Sequence, residues 1–208
     1  MMRENLLYKI LSTIHLAFFT SLLLFSTIFL SASFMTLPGL CAVYQIGRDY
    51  LHKKIDITDS IIKKYFSYFK SSIRTMKYVG VNFILLLNVL GMLVAFESGR
   101  IIFAYLCLVI MTFLVVFLLY IAGVYTFIGK EIDCIEVIFI MFLKPLNLIP
   151  VFITVLLATI FFSKILMIVF LLFGAVLSYC LELVILLPIL HYKNITGISS
   201  AQGHKIEK

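Results

Sequence analysis

The amino-acid sequence predicts an all-α, polytopic membrane protein, a bundle of about five transmembrane helices, and two observations support this fold class. First, 63% of the 208 residues are hydrophobic and 13% are charged, with a mean hydropathy of +1.15, whereas a soluble domain averages about 45–50% apolar and about 25% charged residues. Second, apolar runs about as long as the roughly 20 residues that cross a bilayer recur along the chain. We therefore expect residues 1–208 to form a single integral membrane domain.

The predicted helices follow one another with short polar breaks. Residues 97–100, Glu-Ser-Gly-Arg, are expected to form a tight hairpin turn between two spans. Two shorter helices, at 58–78 and 133–144, are predicted to be amphipathic and cytoplasmic. The predicted spans are 16–37 (with the same helix extending to 47), 79–96, 101–128, 148–162 and 165–190.

The first span raises a question of length. A helix from Leu16 to Gly47 would be about 48 Å long, against a hydrocarbon core of about 30 Å. Pro38 is expected to kink this helix because proline lacks an N–H and clashes with the preceding turn. Gly39 is expected to let a neighbouring segment approach closely. Arg48 would then lie among the lipid headgroups.

The distribution of Lys and Arg predicts the orientation. Residues 48–78, 129–147 and the C-terminal tail carry thirteen of the 17 bases, and the opposite side carries Arg3, Lys9, Arg100 and Lys164. Because cytoplasmic loops are enriched in Lys and Arg, this count predicts an external N-terminus and a cytoplasmic C-terminus. The same rule accounts for the net charge of +7 without nucleic-acid binding.

The helix at 58–78 has an aromatic face and a basic face. Phe66 and Phe69 belong to the apolar face, with Thr58 or Asp59 as the expected N-cap. Such a helix lies in the headgroup plane or docks on a partner, and the alternative is that it packs against the spans of its own chain. The polar stripe opposite contains Lys63, Lys70 and Arg74.

A faint internal repeat is present. "DSIIKKYFSYFK" (59–70) and "DCIEVIFIMFLK" (133–144) both begin with Asp and end with Lys. They follow "AVYQIGRD" (42–49) and "GVYTFIGKE" (123–131), respectively. The hypothesis is two copies of span, in-plane helix and span, with a closing fifth span, and chance similarity remains the alternative.

The segment "LPGLCAVYQIGRDYLHKKIDITDSIIKKYFSYFK" resembles the signature of the YesL-like family of bacterial multi-pass membrane proteins, whose function is uncharacterised. This resemblance implies a bacterial plasma-membrane protein. Because such proteins are typically encoded beside carbohydrate ABC importers, it also implies an accessory or regulatory role, with importer subunits as partners. The matching positions are Pro38, Ala42, Val43, Arg48, Asp56, Phe66, Phe69 and Lys70.

Polar residues inside the spans are the other candidates for function. Glu182 is an acid deep in the fifth span, and an intramembrane ionisable residue is a functional candidate by default. Asn82 and Asn88 lie in the second span, where they either line a polar path or bond between helices. The sequence has no nucleophile–base motif, phosphate loop or metal-ligand spacing, so we expect no enzyme activity, metal or cofactor.

Two functions therefore remain after sequence analysis. The first is a non-enzymatic accessory protein of a carbohydrate ABC importer, with lipid or partner contacts at Pro38, Gly39, Arg48 and the helix at 58–78. The second is a small transporter with a polar path near Glu182. The scarcity of polar residues in the spans favours the accessory protein.

Overall fold

A computed structural model describes residues 6–31, 33–51, 60–128, 133–143, 145, 149–153, 174 and 177. Every element in this part of the chain is helical, so the predicted all-α class is confirmed there. Ser72–Tyr78 is a 3₁₀ segment between α3 and α4. The α-helices are α1 (Leu6–Leu30), α2 (Thr36–Leu51), α3 (Ile61–Ser71), α4 (Val79–Glu97), α5 (Ile101–Ile128) and α6 (Cys134–Leu143).

Three helical stretches of the described residues are long and apolar enough to cross a membrane: Ile10–Leu30, Ile61–Glu97 and Ile101–Phe127. They confirm the membrane-embedded character of the chain. The predicted spans 148–162 and 165–190 lie outside the described residues, apart from 149–153, 174 and 177. Gly174 approaches α1 so closely that a Cβ there would be 2.7 Å from Phe25 Cε2.

The prediction of one continuous helix from Leu16 to Gly47 is wrong. Helix α1 ends at Leu30, and α2 begins at Thr36 and runs back along α1. The contact between Tyr50 OH and Thr13 Oγ1, at 2.8 Å, shows this antiparallel arrangement. The residues that would make a helix of about 48 Å, too long for the hydrocarbon core, therefore form a helical hairpin and not one kinked helix.

Local hydrogen bonds in the turn explain why the chain breaks before Pro38. Ser31 Oγ accepts the backbone N–H of Met35 at 3.0 Å, and serine side chains of this kind compete with the helical ladder. Ser33 has φ +71°, a left-handed conformation that no helix interior adopts. Pro38 then occupies the first turn of α2, where a helix tolerates proline because the first N–H groups have no partner within the helix.

Helix α2 lies at the centre of the bundle. It contacts α1, α3, the 3₁₀ segment and α5, and from Leu37 to Ile46 every residue except Gln45 is buried. Gly39 permits this packing, because a Cβ there would lie 3.0 Å from Leu24 Cδ1 and 3.2 Å from Tyr65 OH. The stretch that begins with the Pro-Gly step is thus the core of the protein.

Helix α3 starts after an N-cap serine. Ser60 Oγ accepts the N–H of Lys63 at 3.4 Å, so the cap falls one residue after the expected Asp59. The chain stays helical from Ile61 through the 3₁₀ segment into α4. The 58–78 helix is therefore present from Ile61 onward, in two helical forms.

Helices α4 and α5 form an antiparallel hairpin, as predicted. Gly99 has φ +69°, and Arg100 N–H donates to Ala95 O at 2.9 Å. The turn brings two small buried residues, Ala95 and Ala104, into the hairpin. A glycine is favourable at position 99 because other residues rarely adopt a positive φ.

Helix α6 packs against α5 with one face and leaves the other exposed. Val137 and Ile140 are fully buried on the inner face. These buried side chains hold α6 against α5, just as buried side chains of α3 hold that helix against α2. The exposed side chains are Ile135, Ile138, Phe139 and Phe142.

Candidate functional site

Three consecutive residues at the end of α2 bind three different helices, and we call Arg48, Asp49 and Tyr50 the anchor triplet. Arg48 Nη1 donates to the carbonyl oxygen of Thr126 in α5 at 2.7 Å. Asp49 Oδ2 accepts the hydroxyl hydrogen of Tyr68 in α3.

Tyr50 OH supplies the third connection, with contacts to Thr13 Oγ1 at 2.8 Å and Ser12 Oγ at 3.2 Å in α1. Successive residues of an α-helix point about 100° apart, so a helix enclosed by three neighbours can reach each of them with consecutive side chains. The anchor triplet follows from the central place of α2.

Asp49 carries the only buried carboxylate among the residues that the structure describes, and it is 7% exposed. Its other oxygen lies 3.7 Å from Arg48 Nε, and the Arg48 side chain is 36% exposed. An ion pair with so much solvent contact contributes little by itself. The Tyr68 hydroxyl is therefore the principal partner of the Asp49 carboxylate, because a buried charge needs a hydrogen bond.

Sequence analysis missed the role of Asp49. It treated the Gly-Arg-Asp step as the end of an apolar helix, whereas the helix continues to Leu51. An acid and a base together at the end of an otherwise apolar stretch were the available signal.

Pro38 and Gly39 lie inside the bundle, although the sequence suggested them as contacts for a partner or lipid. Both residues are buried. Pro38 lies in the first turn of α2, and Gly39 meets side chains of α1 and α3. Neither residue presents a surface to another molecule in this structure.

The five candidates in α3 and the 3₁₀ segment are divided between inside and outside. Phe69 is half-buried and stacks on Tyr65 with 6.2 Å between ring centroids. Phe66 is 55% exposed. Lys63, Lys70 and Arg74 are all exposed.

The inner side of α3 is occupied by its own chain. Ile61 and Tyr65 are buried, and Tyr65 OH lies 2.9 Å from Thr27 Oγ1 of α1. The predicted apolar face therefore does not point in one direction. Tyr65 points into the bundle, whereas Phe66 and Ile62 remain outside. Both alternatives of the sequence analysis apply to one helix, since its inner side packs on the bundle and its outer side stays open.

The two asparagines of the proposed polar path form hydrogen bonds to other segments of the chain. Asn82 Nδ2 donates to Phe34 O at 3.2 Å, and Asn88 Nδ2 donates to Cys107 O at 2.7 Å. Asn82 Oδ1 is buried without a hydrogen-bond partner among the described residues. Glu182, the third member of that path, lies outside them.

Metal-binding geometry is likewise missing from the part of the chain that is described, where no three His, Cys, Asp or Glu side chains come together. Cys107 and Cys134 are free thiols.

No protein family matches the chain, and neither a curated protein nor a solved structure is significantly similar to it. The resemblance to the YesL-like family stays a prediction.

Proposed function

We propose that this protein is a non-enzymatic membrane accessory or regulatory partner of a transporter in the bacterial plasma membrane. One observation supports this proposal above the others: both asparagine carboxamides in α4 donate to backbone carbonyls of neighbouring segments, Asn82 to the turn before α2 and Asn88 to α5. A transporter would need such groups to face its substrate. Their use as structural bonds favours a packed scaffold.

The choice of a carbohydrate ABC importer as the transporter rests on the resemblance of residues 37–70 to the YesL-like family. A structural property compatible with it is the closed centre of the bundle. Helix α2 is buried against several neighbours from Leu37 to Ile46. The surfaces that can contact other proteins are therefore those of the outer helices of the bundle.

We also propose a revised orientation, with the N-terminus in the cytoplasm. The contact between Thr13 and Tyr50 supports it, because the start of α1 and the end of α2 then lie at the same end of the bundle. Arg3 and Lys9 precede that contact and join the basic segment. Fifteen of the 17 bases are then cytoplasmic, with Arg100 and Lys164 outside, which fits the preference of Lys and Arg for the cytoplasm better.

The internal repeat remains part of the proposal, whereas the predicted five crossings do not, because two cytoplasmic termini require an even number of crossings. Helix α2 leads to the short helix α3 that packs back on it, and α5 leads to the short helix α6 in the same way. This parallel supports two related halves. The returning helix α2 brings the chain back to the cytoplasmic side in this arrangement, so it counts as a crossing beside the two further spans at 148–162 and 165–190.

Affinity purification in a mild neutral detergent tests the proposed function. The tagged full-length chain should co-elute with importer subunits identified by mass spectrometry, while an unrelated multi-pass protein with the same tag should not. Sugar flux through liposomes that contain only this protein would instead assign it transporter activity. A Glu182→Gln variant that abolishes such flux without reducing expression would place the path at Glu182.

A further inference from the structure

We propose that the outer face of α3 and the following 3₁₀ segment binds the anionic phosphate headgroups of membrane lipids. This outer face is defined by Ile62, Lys63, Phe66, Lys70, Ile73 and Arg74. The inference deepens the proposed membrane setting and does not depend on the importer.

The outer face is open because the inner side of the same helix is already filled. Tyr65 is fully buried and is held by Thr27, and Tyr68 donates to Asp49. These bonds fix the rotation of α3 about its axis. Ile62 and Phe66 are consequently kept outside, 47% and 55% exposed, and cannot turn inward without breaking both contacts.

The bases of the outer face lie in one line. Lys63, Lys70 and Arg74 are exposed and are separated by seven and four residues, a spacing that places them on one stripe of a helix. No Asp or Glu occurs anywhere in residues 60–96. The positive charge of this segment therefore has no neutralising acid within it.

The position of the face at a membrane follows from chain continuity. Helical structure runs without interruption from Ile61 to Glu97, so the bases directly precede the apolar helix α4. Basic clusters next to a span attract anionic lipids at about 1 kcal/mol per base, or about fivefold in affinity.

Lipid fits this face better than an acidic protein surface does. Phe66 and Ile62 lie along one edge of the face, and Lys63 and Lys70 lie along the other. A membrane surface has the same two layers, with hydrocarbon beneath phosphate, and amphipathic helices in that plane use both. A helix joined to a span also remains at the membrane in every state of the protein.

The test compares two lipids that differ in headgroup charge. Purified full-length protein in neutral detergent is titrated with phosphatidylglycerol or phosphatidylcholine of the same acyl chains, and bound lipid is measured by native mass spectrometry. We expect tighter binding of phosphatidylglycerol. The combined variant K63Q/K70Q/R74Q should lose about a hundredfold in that affinity, whereas R100Q, at the exposed α4–α5 turn, should bind like the parent chain.

Several results would overturn the proposal. These are equal binding of the two lipids, unchanged binding by the triple variant, or equal competition by inorganic phosphate, which would indicate a simple anion site. A triple variant that keeps its phosphatidylglycerol affinity but loses importer subunits would assign the face to a protein. If that variant does not fold, the phosphatidylglycerol affinity of the parent chain is measured at rising ionic strength instead. Headgroup binding must weaken as ionic strength rises, so an unchanged affinity would overturn the proposal.

Discussion

Asn82 donates its side-chain amide to the backbone carbonyl of Phe34 at 3.2 Å. In a continuous helix this carbonyl would accept the N–H of the residue four positions later, which is Pro38 and has no N–H. The helical bonds of α2 resume one residue on, with Gly39 N–H donating to Met35 O at 3.1 Å. Asn82 thus satisfies the carbonyl that the proline leaves open, and Phe83 stacks on Phe34 beside it.

This relationship predicts energetic coupling between positions 38 and 82. Asn82→Leu should destabilise the protein by about 1–3 kcal/mol, because it leaves a buried carbonyl without a donor. In a Pro38→Ala background the same change should cost less, since the alanine supplies the missing backbone N–H. The chain has no Trp, so unfolding is best followed with a thiol-reactive dye that reports exposure of the buried Cys41 and Cys107.

Asn88→Leu is the matched control for that double-mutant cycle. Asn88 also donates to a carbonyl, that of Cys107, but residue 111 is Met and already supplies a helical N–H. Asn88→Leu should therefore show no coupling to Pro38→Ala. Equal costs of Asn82→Leu in both backgrounds would contradict the proposed role of Asn82.

The anchor triplet predicts an order among tyrosine substitutions. Tyr68→Phe should cost about 1.5–3 kcal/mol, because it removes a hydrogen bond to a charged and buried group. Tyr50→Phe should cost about 0.5–1.5 kcal/mol, because its hydroxyl partners are neutral. Denaturant titration in detergent, monitored by circular dichroism, measures both, and the reverse order would show that Asp49 does not depend on Tyr68.

Two glycines predict opposite effects of an added side chain. Gly39→Val should destabilise by about 1–3 kcal/mol, because the new atoms would press on Leu24 and Tyr65. Gly80→Ala should stabilise by about 0.5–1 kcal/mol, since among the described residues no atom beyond its chain neighbours and its own helix backbone lies within 4 Å of its Cβ position and alanine favours a helix. Thermal midpoints of the two variants give the comparison, and a tolerated valine at position 39 would mean that α2 packs less closely.

Cysteine labelling tests the orientation. In a background without native cysteines, Ser98→Cys in the α4–α5 turn should react with a membrane-impermeant maleimide on intact cells. Ser67→Cys on α3 and a cysteine placed before α1 should react only after permeabilisation. External labelling at the N-terminal position would restore the orientation that the sequence first suggested.

The long α5 and the turn after α4 were predictable because each depends on neighbouring residues alone. An uninterrupted apolar run fixes the helix, and the Ser-Gly pair at 98–99 fixes the turn. The break at 31–35 was not predictable from hydropathy, since Ser31 and Ser33 are compatible with an apolar helix as well as with a turn. Pro38 therefore led to the prediction of a kink. The structure has no such kink, because Pro38 lies in the first turn of α2.

The anchor triplet could not be predicted from one sequence. Asp49 and Tyr68 are 19 residues apart, and Arg48 and Thr126 are 78 residues apart. Periodicity gives the faces of a helix but not the helix that each face meets. The basic stripe of α3 was visible, whereas the split of its aromatic residues required the positions of Thr27 and Asp49.

The enclosure of α2 sets an order for biogenesis. When Arg48 is added to the nascent chain, its acceptor in α5 is still 78 residues from being made. The nascent hairpin of α1 and α2 therefore forms before the side of α2 that faces α5 can be covered. A chain that stops short of α5 leaves the Arg48 guanidinium without its carbonyl acceptor and the flank of α2 that packs on α5 uncovered.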